Sequence, residues 1–333
     1  MKTWLPLAAT LLALVVVVLG AYTRLSDAGL GCPDWPGCYG HVGVPDSAQD
    51  VSAANLAYPD RPVEASKAWK EMIHRYAAGL LGLVVLFMFI RAWTTFPAQR
   101  MFTSGLLVLV IFQALLGMWT VTLLVKPLVV TGHLIGGMST VALLWLLVLQ
   151  RSGKFYRVAD FSSSSRKLPL IMLAVLIAQI LLGGWTSTNY AALACVGLPD
   201  CNGYWLPAMD FGNGFKPWHG LGIDYEGGIL ESPARVAIHF SHRIGAIVTL
   251  LVIAGSAIVL WRTSSDQLLK RCLSVVGLAL LVQFCLGLAN VWFFLPLPVA
   301  VAHNGVAALL LMSVVTVNYL AFTKSKHLPA LND

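Results

Sequence analysis

Four histidines fall inside long apolar runs: His74 in "EMIHR", His133 in "TGHLIGG", His242 in "HFSHR" and His303 in "VAHNGVA". An imidazole is costly to hold in a lipid environment, so each of the four is a functional candidate. Their spacing sharpens the case. His74 and His242 are 168 residues apart and His133 and His303 are 170 apart, so the chain offers two imidazole pairs, each drawn from two different runs. Two imidazoles at one depth of a helical bundle suit a flat macrocycle approached from both faces, for which haem is the natural fit. Zinc without a porphyrin would recruit a third or fourth ligand, for which Glu71 and His239 are the nearby candidates. For any one histidine alone, a hydrogen bond across a helix interface is the alternative.

The neighbours of the histidines carry chemistry of their own. Arg75 and Arg243 directly follow His74 and His242; a guanidinium there can hold a haem propionate by a two-pronged contact or snorkel to the membrane interface. Glu71 precedes His74 by three residues and so shares its helical face, whereas the second half has His239 at that place. The lone acid can transfer protons or stabilise positive charge beside a reacting ring, or serve as a solvated helix-start glutamate. Gly79, Gly132, Gly136, Gly137, Gly245 and Gly305 lie near the histidines and would admit a flat ring or close helix packing.

The elements that position these residues follow from composition. With 58% hydrophobic and 11% charged residues among 333, the chain reads as a polytopic membrane protein. Eight segments reach the ~20 apolar residues that cross a bilayer: Trp4 to Ala21, Met72 to Ala92, Met101 to Leu124, Leu128 to Leu149, Leu168 to Ser187, Val236 to Trp261, Cys272 to Phe294 and Pro298 to Phe322. The first is read as a span, not a cleaved leader, because it has a partner later in the chain. Basic residues mark the cytoplasmic connections: Arg91 and Arg100, then Arg151, Lys154, Arg157, Arg166 and Lys167, then Arg262, Lys270 and Arg271, with Lys2, Lys324 and Lys326 at the ends. The net charge of +7 is thus a topology signal, and no nucleic-acid partner is expected. The long connections Tyr22 to Lys70 and Thr188 to Arg235 face outward.

An internal repeat organises the spans. "GAYT" from Gly20 matches "GGWT" from Gly183, and "QALLG" from Gln113 matches "QFCLG" from Gln283, in the same order as the histidine motifs. The expected fold is an all-α polytopic membrane protein whose eight transmembrane helices form two pseudo-symmetric four-helix bundles. The N-terminal half covers 1–150, a cytoplasmic linker 151–167 and the C-terminal half 168–333. Both halves enter from and return to the cytoplasm.

The cysteines repeat as well, Cys32 and Cys38 in "GCPDWPGC", Cys195 and Cys201 in "ACVGLPDC". Neither spacing is that of haem attachment or a zinc ribbon. Outward placement in short loops favours the disulfides Cys32 to Cys38 and Cys195 to Cys201, as structural staples or as labile redox groups. Cys272 and Cys285 are read as packing residues.

Taken together, "TRLSDAGLGCPDWPGC", "EMIHRYAAG", "QALLGMWTV", "TGHLIGG", "HFSHRIGA" and "VAHNGVA" resemble the haem A synthase family over nearly the whole chain. The resemblance implies an oxidoreductase of the bacterial inner membrane that converts a methyl of haem O to the formyl group of haem A by successive hydroxylations, for terminal oxidase assembly. It further implies haem b as cofactor on His242 and His303, haem O as substrate on His74 and His133, and Glu71 as the catalytic acid. Binding of a haem O synthase, the electron donor and self-association are left open. A non-catalytic di-haem b electron-transfer cytochrome accounts equally for four histidines but gives no reason for Glu71. A haem carrier or exporter accounts for an outward pocket, without a nucleotide-binding domain to drive it.

Overall fold

A computed structural model describes residues 3–153 and 165–322. Most of the linker 151–167, with Lys154 and Arg157, and the terminal Lys2, Lys324 and Lys326 lie outside the described residues. The described chain is all helical apart from loops and turns. It forms α1 (Trp4–Leu25), a short α2 (Ala48–Ala57), α3 (Ala65–Thr95), α4 (Arg100–Thr122), α5 (Pro127–Arg151), α6 (Lys167–Thr188), a single-turn α7 (Phe211–Gly214), α8 (Ser232–Thr263), α9 (Gln267–Trp292) and α10 (Leu297–Phe322). Eight of these are long and apolar enough to cross a membrane, one for each predicted span. Three begin well before the hydropathy runs: α3 starts at Ala65, α8 at Ser232 and α9 at Gln267, because the polar turns ahead of the apolar runs continue the helix.

In the first half α1 packs on α3 and α5, and α4 on the same two; in the second α6 packs on α8 and α10, and α9 on the same two. This pattern is compatible with the two-bundle reading of the repeat. The halves meet through α1 against α10 and through α5 against α6 and α10. Polar side chains tie that seam where no water competes: Thr131 and Thr188 hydroxyls lie 3.2 Å apart, and Trp145 Nε1 donates to Thr316 Oγ1 at 2.8 Å.

Each half is solid at one end only. In the first, Ala9, Ala13, Val85, Met88, Leu106, Val141, Leu144 and Leu147 form a buried cluster. In the second, Met172, Leu176, Ile253, Leu260, Leu273, Val276, Val314 and Val317 do the same. These residues come from the helix ends remote from the cysteine loops, and dense apolar packing there holds the helices in place. The histidines sit in the opposite, more open ends.

The repeat extends to the backbone of the connections. After α1, Asp27 takes a positive φ and Ala28 N donates to Thr23 O at 2.9 Å; after α6, Tyr190 and the Ala191 N to Thr186 O bond repeat this at the same distance. A short antiparallel bridge pairs Cys38 with His41, and its counterpart pairs Cys201 with Tyr204. Beyond the cysteine loops, the outer stretches Pro45 to Lys70 and Pro207 to Arg235, which have no equivalent in each other, meet: Arg61 bonds Asp224 at 2.7 Å and Glu226 at 2.9 Å.

Candidate functional site

A cavity of about 1980 Å³ opens between the helices at the cysteine-loop end, and residues of both halves line it. Single small-molecule pockets run ~300–1,000 Å³, so this one has room for two large ligands. All four histidines line it, with Glu71, Arg75, His239 and Arg243. His74 on α3 and His133 on α5 face each other edge to face, ring centroids 6.4 Å apart. Two imidazole nitrogens each ~2.0–2.1 Å from a metal, as in zinc sites, require a separation of this order between rings. His242 on α8 and His303 on α10 line the same cavity in the second half.

The polar atoms of the site suit haem. Nδ1 of His74, His133 and His303 is buried without a hydrogen-bond partner, a cost that an additional bound group would relieve. In the second half two glutamines brace the rings: Gln179 Nε2 lies 3.0 Å from His242 Nδ1, and Gln283 Nε2 lies 3.3 Å from His303 Nε2. Partners of this kind orient ligating histidines. Among the described residues no three His, Cys, Asp or Glu side chains gather as a metal site, so Glu71 and His239 do not complete a zinc set. The residues present suit paired imidazoles around a flat ring.

One feature escaped the sequence reading. Each histidine ring lies edge-on against a glycine of the adjacent helix: a Cβ at Gly20 would stand 2.9 Å from His74 Cε1, at Gly183 3.1 Å from His242 Cε1, at Gly287 3.3 Å from His303 Cε1 and at Gly117 3.5 Å from His133 Cε1. These are the glycines of "GAYT", "GGWT", "QFCLG" and "QALLG", so the repeated motifs held the signal. The glycines singled out from sequence do other things. Gly136 makes room for Gln113 and Gly245 for Gln179, Gly137 and Gly305 face Val17 and Val18, and Gly79 and Gly132 face open space.

The cysteine loops are joined to the site by Glu71, His239 and the two arginines. Both disulfides are formed, Cys32 to Cys38 and Cys195 to Cys201. Glu71 is 5% exposed; its Oε2 accepts from Cys32 N at 2.9 Å and its Oε1 from Arg75 Nη2. His239 Nδ1 accepts from Cys195 N at 3.2 Å, so acid and imidazole do one structural job in the two halves, with different charge. Arg75 also donates to the carbonyls of Asp34, Pro36 and Gly37, and Arg243 to those of Cys195, Gly197 and Asp200. The guanidiniums read as propionate contacts therefore hold the loops while also lining the cavity.

Lys126, between α4 and α5, has no basic counterpart in the sequence of the second half. It is 1% exposed, with its ammonium bonded to Gly220 O and 2.9 Å above the centre of the Trp218 ring. Burial pushes it below the usual lysine range, and burial pushes the nearby Tyr225 phenol up.

Fold and site define a multi-pass α-helical membrane protein that presents two histidine pairs to one cavity. The profile of the COX15-CtaA family, described as cytochrome oxidase assembly protein, matches residues 2–315, and the chain belongs to that family. It is 48% identical over 327 residues to a Shewanella oneidensis protein named heme A synthase, covering 97% of each chain. It is 28% identical to a protein of that name from Methylobacterium radiotolerans, covering 95% of this chain and 88% of the other. A third of that name, from Alkalihalophilus pseudofirmus, is 25% identical over 94% of this chain and 95% of the other.

Proposed function

We propose that this protein is a haem A synthase, an oxidoreductase that converts a methyl of haem O to the formyl group of haem A for cytochrome oxidase assembly. One observation carries the reading beyond family membership: the imidazole pairs repeat in both halves, whereas the residue ahead of the first imidazole is Glu71 in one and His239 in the other. Equivalent sites with one acid fit a substrate site beside a cofactor site. We assign His74 and His133, in the half 1–150, to haem O, and His242 and His303, in the half 168–333, to a resident haem b. When bound, haem b would supply the reversible one-electron redox chemistry that oxidation of an unactivated methyl group needs.

The chain's own residues do the rest. The imidazoles of His74 and His133 orient the substrate ring between α3 and α5, and the glycine notches hold those imidazoles at fixed depth. Taking a methyl to a formyl group removes four electrons and two hydrogens and adds one oxygen, with the oxygen donor and the oxidant supplied from outside this chain, so protons are moved at the ring edge. Two carboxylates of the first half line the cavity, Asp34 and Glu71; Asp34 is engaged by the Tyr39 and Gly40 N–H groups of its own loop, and Glu71, three residues before His74, is the one assigned to hold a proton on a carboxylate oxygen. Arg75 stabilises the carboxylate after a proton leaves. The largely apolar walls keep bulk water from these charges and strengthen their interaction.

In this reading the cysteine loops face the periplasm and both termini the cytoplasm of a bacterial inner membrane, the orientation that the basic connections favour. The deciding experiment is haem extraction and mass analysis after co-expression with a haem O source in cells lacking haem A. Haem A or its hydroxymethyl precursor supports the assignment. Bound haem b with haem O unchanged, given a working electron supply, transfers the protein to the electron-relay cytochromes.

A further inference from the structure

The turns joining α4 to α5 and α9 to α10 are repeats of one another with different covers. Val125 N donates to Thr120 O and Leu295 N to Asn290 O, both at 2.7 Å, and both Val125 and Leu295 line the cavity. In the second half this turn is bare, with Phe293 63% and Phe294 65% exposed. In the first half it is buried beneath a loop from the other half of the chain. Tyr225, 2% exposed, packs with Leu30, Val121 and Val125 in one buried cluster, and Tyr225 N donates to Leu124 O at 3.2 Å. Lys126 pins the same loop through Gly220 O and the Trp218 face. The second half has no lysine there, its turn reading Leu295, Pro296, Leu297 and Pro298.

We propose that Lys126 is a positioning residue for the reaction: it clamps the loop around Trp218 and Tyr225 as a roof over the α4–α5 turn, whose Val125 lines the first-half site, so that a partly oxidised substrate stays bound until the second oxidation. The inference rests on the assignment of haem O to that half. A cation held by a ring face and a carbonyl, with no carboxylate, is strong when desolvated and weak once wet, so the clamp is sealed only while the roof excludes water. A roof contributed by the opposite half also makes closure of the substrate site depend on the cofactor half being in place.

The test uses the full chain with haem b bound, in lipid nanodiscs, and compares Lys126→Met and Lys126→Arg with the unaltered protein. Two quantities are read: amide hydrogen exchange over residues 218–226, and the ratio of hydroxymethyl intermediate to haem A released on turnover with haem O. For Lys126→Met we expect exchange there to quicken about tenfold, as for a locally opened segment, and the intermediate fraction to rise several-fold while haem b content is unchanged. Lys126→Arg, still cationic, restores both. Unchanged exchange overturns the clamp, and faster exchange with an unchanged ratio overturns its role in the reaction. If Lys126→Met fails to keep haem b, Trp218→Leu, altered at the half-exposed end of the contact, carries the same two readings. Absence of haem A from the unaltered protein overturns the functional assignment, while the exchange data still judge the clamp.

Discussion

Adding one methyl group at each of the four ring-facing glycines grades a single perturbation by distance. Ordinary contact for a Cβ begins at 3.4 Å, so Gly20→Ala forces His74 to yield by about 0.5 Å and Gly183→Ala forces His242 to yield by about 0.3 Å, whereas Gly287→Ala asks for ~0.1 Å and Gly117→Ala for nothing. Overpacking of this kind costs ~1–3 kcal/mol, and functional side chains tolerate displacements of about 0.5 Å. At ~1.4 kcal/mol per tenfold in affinity, Gly183→Ala should weaken haem b retention about five- to hundredfold, and Gly20→Ala should do at least as much to haem O in the other half. Gly287→Ala should be mild. Gly117→Ala should be neutral or slightly stabilising, since alanine is the better helix former by up to ~1 kcal/mol. The assay is haem b and haem O content of purified variants by extraction and absorbance, with thermal unfolding as a fold check. Loss of haem in Gly117→Ala equal to that in Gly20→Ala, or full retention in Gly20→Ala, would refute the packing account.

Glu71→Gln should keep haem b while haem A formation stops, and loss of haem b from this variant would break the division between the halves. Because the Cys32 N–H to Glu71 bond survives an amide but the Arg75 ion pair does not, loosening of the first cysteine loop should be visible as faster amide exchange near Cys32. Arg243→Met leaves the part-buried carbonyl bonds of Cys195 and Asp200 and the exposed one of Gly197 without their donor; stability should fall by about 1–3 kcal/mol, since a fully buried group left unpaired costs ~1–3 kcal/mol and water replaces the donor at Gly197 and in part at the other two. Arg61→Ala removes a partly exposed ion pair with Asp224 and Glu226, for which ~0–1 kcal/mol is expected, so its haem content and turnover should match the unaltered protein. A large effect there would shift the weight of loop docking from Lys126 to Arg61.

The fold was largely legible because a bilayer permits little else. A run of about twenty apolar residues must satisfy its backbone internally, and a helix does so, so the eight spans follow from hydropathy alone. The four histidines, Glu71 and the cysteine pairs were legible because each repeats, or conspicuously fails to repeat, at a nearly constant offset. The glycine notches were not. Glycine is common in membrane helices, and a residue 54 positions before its histidine, as Gly20 is to His74, gives no local sign of contact.

Sequence alone determined the class of the protein and the repeat, and marked four histidines as the candidates to hold a flat metal-bearing ring, since these depend on residue type, hydropathy and spacing along one chain. Tertiary structure decided what those residues touch. That Glu71 and His239 both receive a cysteine N–H, that Arg75 and Arg243 hold loop carbonyls, and that Lys126 lies beneath a loop more than ninety residues away are matters of how helices from two halves pack together. Such contacts join groups distant in the chain, and their geometry comes from the whole seam between the halves, which no single motif contains.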